Sequence, residues 1–440
     1  MAEKLDRLQE IILDYQEVVL FTGTARRLGL QQMPGKAAVC IGVRRSGKST
    51  YLHQIVNGLL QEGIDRKNIL YINFFDDRLH HLLHEGPAVL LDAYFSLYPE
   101  KKNKETVYCF FDEIQSVSNW EAFVDRILRT ENAKVYITGS SASMLSKEIA
   151  TQLRGRSISW EMFPFSFREY LDHKGVPESP ALSSSQRMLA QKAFNDYWEE
   201  GGFPEVAGIS RQLRIKVHQE YFNIMVFRDL VERHNIAHPR AVADLAHWLV
   251  DNTGSMYSIN SLFGYISSLG HKAPKAAVAD YLDWFEDAYV FFTVRLFDAS
   301  VSRSKANPKK IYCVDHSMVR SVGSGILVNS GHLLENLVFL GLRRLTPKIF
   351  YYKTGRDKEV DFIAIMPDGN PKLVQVCETL ADQQTYNREV NALTEAMTEL
   401  GIREGIIATR WDEREIQQDT GTVRVIPAWR FLLELQRLSV

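Results

Sequence analysis

The decapeptide IGVRRSGKST at residues 41–50 decides the fold of the N-terminal part of this chain. It fits the spacing G-x-x-x-x-G-K-[ST] of a phosphate-binding loop. In such a loop the glycines let backbone N–H groups surround an anion, the lysine reaches the terminal phosphates, and the last hydroxyl can hold Mg²⁺. A match also arises by chance in about one or two of a hundred chains of this length, so the flanking residues must decide.

The flanking sequence supplies a strand before the loop and a helix after it. KAAVCIGV at 36–43 is a short apolar run rich in valine and isoleucine, which is typical of a buried strand. After the loop, apolar residues recur on one helix face that ends before Gly63: these are Leu52, Ile55, Val56, Leu59 and Leu60. Phosphate binding requires this order of strand, loop and helix. The predicted nucleotide-binding residues are therefore Gly42, Val43, Arg44, Arg45, Ser46, Gly47, Lys48, Ser49 and Thr50.

Three further apolar runs extend this pattern into a sheet. They lie at 69–74, 107–113 and 134–140 and have the composition of strands. Between the last two, the residues with helical spacing are Trp120, Phe123, Val124, Ile127 and Leu128. Strands that alternate with helices predict an α/β fold in which a parallel sheet has helices on both faces.

The run VYCFFDEIQ at 107–115 ends an apolar strand on two acids. Asp112 at the carboxyl end of a strand can bind Mg²⁺ through water, as a Walker B aspartate does, and Ser49 is the other predicted metal ligand. Glu113 can polarise the attacking water as a general base. Acidic pairs at strand ends also occur without a function, but the phosphate loop earlier in the chain favours the functional interpretation.

The next strand ends in small polar residues, in YITGSSASML at 136–145. There the hydroxyl of Ser140 would lie beside the γ-phosphate and orient water. The alternative is that Ser140 caps the N-terminus of a helix, for which serine is a favoured residue. The two roles do not exclude each other.

Two arginines flank a glycine at the start of LRGRSISWEMFPFSFREYL (153–171). An arginine that completes the nucleotide site of a neighbouring subunit stabilises the charge of the transition state. Arg156 is the first candidate for such a finger and Arg154 the second. The alternative is a surface arginine in a salt bridge.

These segments together resemble AAA-type ATPases that carry a C-terminal domain of unknown function with a restriction-endonuclease-like core. The resemblance rests on GVRRSGKST, YINFFDDRL, FFDEIQ, W-E-x-F, ITGSSASML, L-R-G-R and FPFSFREYL, and continues in EEGGFPEV (199–206) and EVDFI (359–363). It covers most of the chain. It implies an ATPase module, a helical lid, a winged helix and a nuclease-like domain, with an arginine that projects toward the next subunit of an oligomer.

The boundaries expected on this basis divide the chain into four parts. They are a P-loop ATPase domain at 1–165, a helical lid at 166–238, a winged-helix-like domain at 239–325 and an α/β nuclease-like domain at 326–440. The stretch at 172–186 is rich in proline and serine and is predicted to be a loop. Residues 187–235 are predicted to be helical with a turn at EGGFPEV.

The region 240–315 has the order of a winged helix, with three helices followed by two strands around a basic loop. Four residues of that loop could contact phosphates: Arg303, Lys305, Lys309 and Lys310. Winged helices also bind proteins, and the third helix contains the acidic run VADYLDWFED where a groove-reading helix would be expected. DNA and protein clients both remain open.

The C-terminal region lacks part of the catalytic pattern of the nuclease fold that it resembles. That fold needs an aspartate on one strand and Glu-x-Lys on the next, since the carboxylates hold Mg²⁺ and the lysine supports the attacking water. Glu359 and Asp361 are present, but Gln375 and Cys377 replace the glutamate and the lysine. Glu378 offers a carboxylate on the opposite face of the strand. We expect nuclease chemistry to be lost.

Composition excludes several other classes. The chain of 440 residues is 45% hydrophobic and 24% charged with a net charge of −2, so no overall field attracts nucleic acid or membranes. No apolar run approaches 18 residues, and the N-terminus does not read as a signal peptide. The four cysteines form no C-x-x-C pair, which favours a reducing cytoplasm. His80 and His84 share a predicted helix face, for which a polar surface is favoured over a metal site.

The sequence thus predicts Mg²⁺-dependent binding and hydrolysis of ATP, used as a conformational switch or motor. A homo-oligomer and a nucleic-acid client are the partners that this interpretation suggests. The alternative is a winged-helix module that binds nucleic acid or protein and uses the nucleotide for structure or regulation. The pair Asp112 and Glu113 separates the two, because a structural nucleotide site does not require the glutamate.

Overall fold

The computed structural model describes residues 2–84, 86–139, 153–177, 183–325 and 329–438, without the side chains of Ala2 and Lys305. The chain divides into two units, Met1–Met162 and Phe163–Val440. Among these described residues, no helix is both long enough and apolar enough to cross a membrane.

The first unit contains a five-stranded sheet with parallel pairings. Its strands are β1 (Ala37–Ile41), β2 (Ile69–Asn73), β3 (Val107–Asp112), β4 (Ala133–Thr138) and β5 (Ser157–Glu161). They lie in the order β2-β3-β4-β1-β5. The parallel sheet and its first four strands confirm the sequence prediction, whereas β5 falls in a segment where no strand is predicted.

Helices accompany this sheet. They are α1 (Ala2–Glu17), α2 (Lys48–Gln61), α3 (Asp77–Leu82), α4 (Val89–Leu97) and α5 (Trp120–Thr130). The helices predicted after the phosphate loop and at Trp120 are therefore confirmed. Leu52 and Val56 of α2 pack in one apolar cluster with Phe110 and Tyr136, whose rings stack 4.6 Å apart on neighbouring strands.

The strand order brings three carboxyl ends together at one edge of the sheet. The phosphate loop follows β1, Asp112 ends β3 and Thr138 ends β4. Because β4 lies between β1 and β3 and all three run in the same direction, the polar residues after them are neighbours. In parallel α/β sheets this edge is where ligands bind.

The second unit contains helices along its whole length. They are α6 (Phe167–His173), α7 (Ser184–Glu200), α8 (Arg211–Ile224), α9 (Pro239–Asp251), α10 (Ile259–Ser268), α11 (Lys275–Asp287), α12 (Val301–Ala306), α13 (His316–Val322), α14 (Ser330–Arg343), α15 (Gln383–Leu400) and α16 (Ala428–Gln436). A π-helix, Met225–Glu232, continues α8. The predicted helical character of 187–235 and the three predicted helices after residue 240 are confirmed.

A nine-stranded mixed sheet completes this unit. Its strands are β6 (Met256–Tyr257), β7 (Phe291–Leu296), β8 (Lys309–Cys313), β9 (Ile349–Lys353), β10 (Glu359–Ile365), β11 (Pro371–Cys377), β12 (Glu404–Thr409), β13 (Arg414–Gln418) and β14 (Gly421–Pro427). β7 and β9 pair in parallel, so strands on both sides of residue 325 belong to one sheet. The boundaries at 165, 238 and 325 remain predictions.

The basic loop predicted between two strands needs a correction. The segment after β7 forms the short helix α12, and Lys309 and Lys310 lie in β8. Lys310 is only 4% exposed and is bound to carboxylates, so it cannot contact the phosphates of a nucleic acid. Arg303 is exposed and pairs with Asp298 at 3.2 Å. The side chain of Lys305 lies outside the described residues.

Candidate nucleotide-binding site

The phosphate loop has a backbone that only glycine permits at two positions. Gly42 has φ 145°, and a Cβ there would lie 2.1 Å from the carbonyl oxygen of Met162. Gly47 has φ 96° and precedes the first turn of α2. Arg45 also has a positive φ, of 64°. The loop therefore turns its backbone sharply between β1 and the N-terminus of a helix, which is the arrangement that binds anions.

Lys48 is held against the loop rather than exposed. Its ammonium donates hydrogen bonds to the carbonyl oxygens of Gly42, at 3.0 Å, and Val43, at 3.1 Å. The residue is 5% exposed. Burial raises the pKa of the Cys40 thiol to about 12, although the charge of Lys48 acts in the opposite direction. The ammonium group of Lys48 is thus fixed inside the loop.

Asp112 is fully buried at the end of β3, between hydroxyl groups from both neighbouring strands. The hydroxyl of Tyr71 on β2 donates to its Oδ2 at 3.0 Å, and the hydroxyl of Thr138 on β4 donates to its Oδ1. Burial and the charge of Asp112 raise the pKa of Tyr71 well above its usual value, so Tyr71 remains a donor. Among the described residues, Asp112 forms no ion pair.

Glu113 occupies a constrained backbone position next to this carboxylate. Its φ of 55° is uncommon for a residue with a side chain. Its N–H donates to the Thr138 hydroxyl oxygen at 3.1 Å, and its carboxylate accepts from Gln115 at 2.5 Å. Thr138 therefore contacts both acids. The sequence does not predict Thr138 as a site residue. Ser140, which the sequence predicts beside the γ-phosphate, lies outside the described residues.

The candidate arginines lie near the amino ends of the strands, at the end of the sheet opposite to the phosphate loop. Arg156 immediately precedes β5, whose first residue pairs with Ala37 at the start of β1. The phosphate loop follows the far end of β1, and five residues at about 3.3 Å each give a separation of about 16 Å. The Arg156 guanidinium pairs with Asp125 of α5 at 3.0 Å and is 39% exposed. Arg154 is exposed, with φ 51°.

A second cluster of charges lies in the nine-stranded sheet, beside a cavity of about 1030 Å³. The ammonium of Lys310 is 2.8 Å from a carboxylate oxygen of each of Glu335, Glu359 and Asp361. The hydroxyl of Tyr312 donates to Glu335 at 2.6 Å. Glu335 lies in helix α14, and no sequence pattern predicts it as part of a charge cluster. Lys310 is predicted in a loop but lies in β8.

Of the two residues that replace the nuclease pattern, Gln375 is hydrogen-bonded within this cluster and Cys377 is buried beside it. The amide of Gln375 accepts from the Asp361 N–H at 3.1 Å and donates to Glu389 at 2.6 Å. Burial raises the pKa of the Cys377 thiol to about 12, so Cys377 supplies no charge. Lys310 supplies the positive charge from another strand.

The single ammonium group of Lys310 faces three carboxyl groups, of which Glu335 is the one buried on α14. Burial first, and then the nearby Asp361, raise the pKa of Glu335 to about 7 despite Lys310. The part of the chain that the structure describes has no group of three histidine, cysteine, aspartate or glutamate residues arranged to hold a metal ion. The ammonium of Lys310 takes the central position among these carboxylates.

Comparison with known proteins identifies the family. Residues 34–171 match an AAA domain, and residues 191–327 match a domain of unknown function (DUF8612). The chain is 32% identical to the uncharacterized protein MJ1544 of Methanocaldococcus jannaschii, over 98% of this chain and 96% of that protein. The chain therefore belongs to the family of this archaeal protein, and it is an AAA-type protein with a further domain of unknown function.

Two other similarities are more distant. An uncharacterized protein of Haemophilus influenzae is 30% identical, over 75% of this chain and 80% of that protein. Among solved structures, the Walker-type ATPase PABY2304 of Pyrococcus abyssi is 15% identical with a TM-score of 0.42, over 73% of this chain and 94% of that one.

The charge cluster predicts a strong effect of removing its cation. Lys310→Met should lower the free energy of unfolding by about 3–5 kcal/mol, because it leaves buried carboxylates without a partner. The measurement is urea denaturation followed by circular dichroism. Lys353→Met is the matched control, since Lys353 pairs with Asp357 at the surface and its loss should change stability by at most about 1 kcal/mol. Equal effects of the two substitutions would contradict the role given to Lys310.

Proposed function

We propose that the AAA domain binds ATP with Mg²⁺ and hydrolyses it, and that hydrolysis drives a conformational change of this chain. The observation that carries the proposal is the fully buried Asp112 carboxylate, whose partners among the described residues are the hydroxyls of Tyr71 and Thr138. A buried charge that lacks an ion-pair partner is costly. A bound divalent cation beside the phosphate loop would compensate it.

The residues of the site support separate roles in this reaction. Backbone N–H groups of the loop and the ammonium of Lys48 would bind the phosphates, and Ser49 and Asp112 would hold the cation that neutralises their charge. Glu113 would accept a proton from the attacking water. Thr138 would keep the two acids in register, since its hydroxyl contacts both.

The first test concerns binding. Lys48→Ala should abolish detectable ATP binding, because the phosphates lose their fixed point charge. Equilibrium dialysis with ATP and Mg²⁺ measures this, and Lys104→Ala, which removes an exposed lysine of the same unit, is the control that should bind as the unmodified protein does. Unchanged affinity in Lys48→Ala would refute the assignment of the loop.

The second test separates binding from chemistry. Glu113→Gln keeps the size of the side chain and loses its basicity, so it should retain ATP while the rate of phosphate release falls by roughly 10²-fold or more. Glu100→Gln is the control at an exposed position and should leave the rate unchanged. Full turnover by Glu113→Gln would give the role of base to another residue. Repeating the assay with DNA present tests whether nucleic acid is the client.

We also propose that Arg156 acts on the nucleotide of a neighbouring subunit. The separation of about 16 Å along β1 opposes a role at the phosphate loop of its own chain. The pair with Asp125 does not oppose release of the side chain, since an ion pair of a half-exposed arginine contributes at most about 1 kcal/mol. Arg154 is the second candidate.

A mixing experiment tests this arrangement. Arg156→Ala subunits keep an intact loop, and Lys48→Ala subunits keep an intact arginine. Each alone should be inactive, because such arginines contribute about 10³–10⁵ in rate in related phosphoryl transfer. An equimolar mixture should regain part of the ATPase activity. A mixture that stays inactive, while the unmodified protein works equally at every dilution, would exclude action between subunits.

A further inference from the structure

A small cavity in the second unit is lined by an unusual excess of arginine. It has a volume of about 160 Å³ and lies between the end of α7, the first turn of α8 and α13. Its polar lining consists of Glu199, Arg211, Arg214, Ser317, Arg320 and Ser321. It is smaller than the roughly 300–1,000 Å³ of pockets that hold drug-sized ligands, so it suits a single small group.

Arg214 is the decisive residue, because it is a buried cation without a counterion among the residues that the structure describes. It is only 7% exposed. Within the described ranges, its guanidinium group makes neither a hydrogen bond nor an ion pair, although an arginine presents five donors. Buried charges in proteins are normally paired, since desolvation without compensation is costly. An arginine in this state beside a cavity indicates that the cavity receives an anion.

The neighbours of Arg214 supply no negative charge that is free to pair with it. Burial lowers the pKa of His218 to about 4, so its ring is neutral. Nδ1 of that ring lies 2.9 Å from the Ser321 hydroxyl, which itself donates to the carbonyl of Ser317. The carboxylate of Asp315 accepts the N–H groups of Gly202, Ser317 and Met318 at the start of α13. The carboxylate of Asp315 and the hydroxyl of Ser321 are therefore engaged. Nε2 of the neutral His218 ring has no partner among the described residues, and it carries no charge that could balance an arginine.

The charges that line the cavity do not balance. Arg320 pairs with Glu199 at 2.6 Å, which leaves the charges of Arg211 and Arg214 uncompensated within the lining. Arg211 and Arg214 lie in the first turn of α8, which is capped by Ser210, and the positive end of a helix dipole adds to their attraction for an anion. An anion with two negative charges would neutralise this lining.

We propose that this cavity is a binding site for a phosphate dianion, either inorganic phosphate or the terminal phosphate of a small monoester. A guanidinium group binds phosphate through two parallel N–H hydrogen bonds. The guanidinium group of Arg214, which has no partner among the described residues, can bind in this way. The hydroxyls and helix N-terminus supply further polar groups at the wall. A phosphodiester carries a single charge per phosphate and fits the excess of two charges less well. The site is separate from the phosphate loop and does not depend on the proposed hydrolysis of ATP.

The test is calorimetric titration of the full chain with inorganic phosphate. Lys48→Ala serves as the background, because it removes the charge that would bind phosphate at the loop. One binding event should remain in this background. Adding Arg214→Met should weaken it by roughly 10–100-fold, as expected for a lost charge-assisted contact. Adding Lys216→Met, which removes an exposed charge on the same helix, should leave the affinity unchanged.

Thermal unfolding without phosphate shows whether the variants are folded. Arg214→Met should melt at the same or a higher temperature than its background, since it replaces an unpaired buried charge by an apolar side chain. Arg214→Lys keeps the charge but loses the planar group that can donate two parallel hydrogen bonds, so it should bind phosphate with intermediate affinity. If Arg214→Met does not fold, the phosphate affinities of Arg214→Lys and Lys216→Met are compared instead. Weaker binding by Arg214→Lys than by Lys216→Met supports the proposal, and equal binding overturns it.

Two ligands distinguish the sources of the phosphate. Thymidine 5′-monophosphate should compete with inorganic phosphate in the Lys48→Ala background, and an oligothymidylate without terminal phosphates should not. Tighter, Arg214-dependent binding of the oligonucleotide would overturn the proposal in favour of a nucleic-acid contact. Phosphate binding that is unaffected at Arg214, or absent in the Lys48→Ala background, would overturn it as well.

Discussion

The burial of one carboxylate sets the geometry of the nucleotide site. Asp112 is removed from solvent at the end of β3, and its two oxygens accept from hydroxyls on the strands to either side. This works only if β2, β3 and β4 are neighbours that run in parallel, as their pairing has them. The same order brings the phosphate loop after β1 next to Thr138, so the loop and the acids meet because of the topology of the sheet.

The sequence predicted those parts of the first unit that depend on local patterns. Apolar runs indicate β1 to β4, helical spacing indicates α2 and α5, and the glycines of the loop have a conformation that no other residue adopts easily. Asp112 and Glu113 were predicted because they follow a strand beyond a recognisable loop. The prediction of their roles used spacing along the chain, and it needed no knowledge of the strand order.

Contacts across strands could not be predicted in this way. Tyr71 and Thr138 bind Asp112 from separate strands, and neither has a local pattern that distinguishes it from other buried residues. In the same way, Lys310 was assigned to a basic loop because lysine is usually exposed, and only the fold brings it to Glu335, Glu359 and Asp361. β5 differs from these cases, because its serines alternate with Ile158 and Trp160, which is the local pattern of a half-buried strand, and the strand is only five residues long.

Three buried charges in this protein differ in whether the chain itself compensates them, and that difference separates structural clusters from binding sites. Lys310 has more carboxylates around it than its charge requires, and the surplus is met by a raised pKa at Glu335. That cluster is complete without a ligand. Asp112 has hydrogen-bond donors but no cation, and Arg214 has neither among the described residues. A folded chain keeps such uncompensated charges at a cost in stability, and a bound ion of opposite charge recovers that cost. The AAA domain would recover it with a divalent cation, and the cavity at the start of α8 with a phosphate.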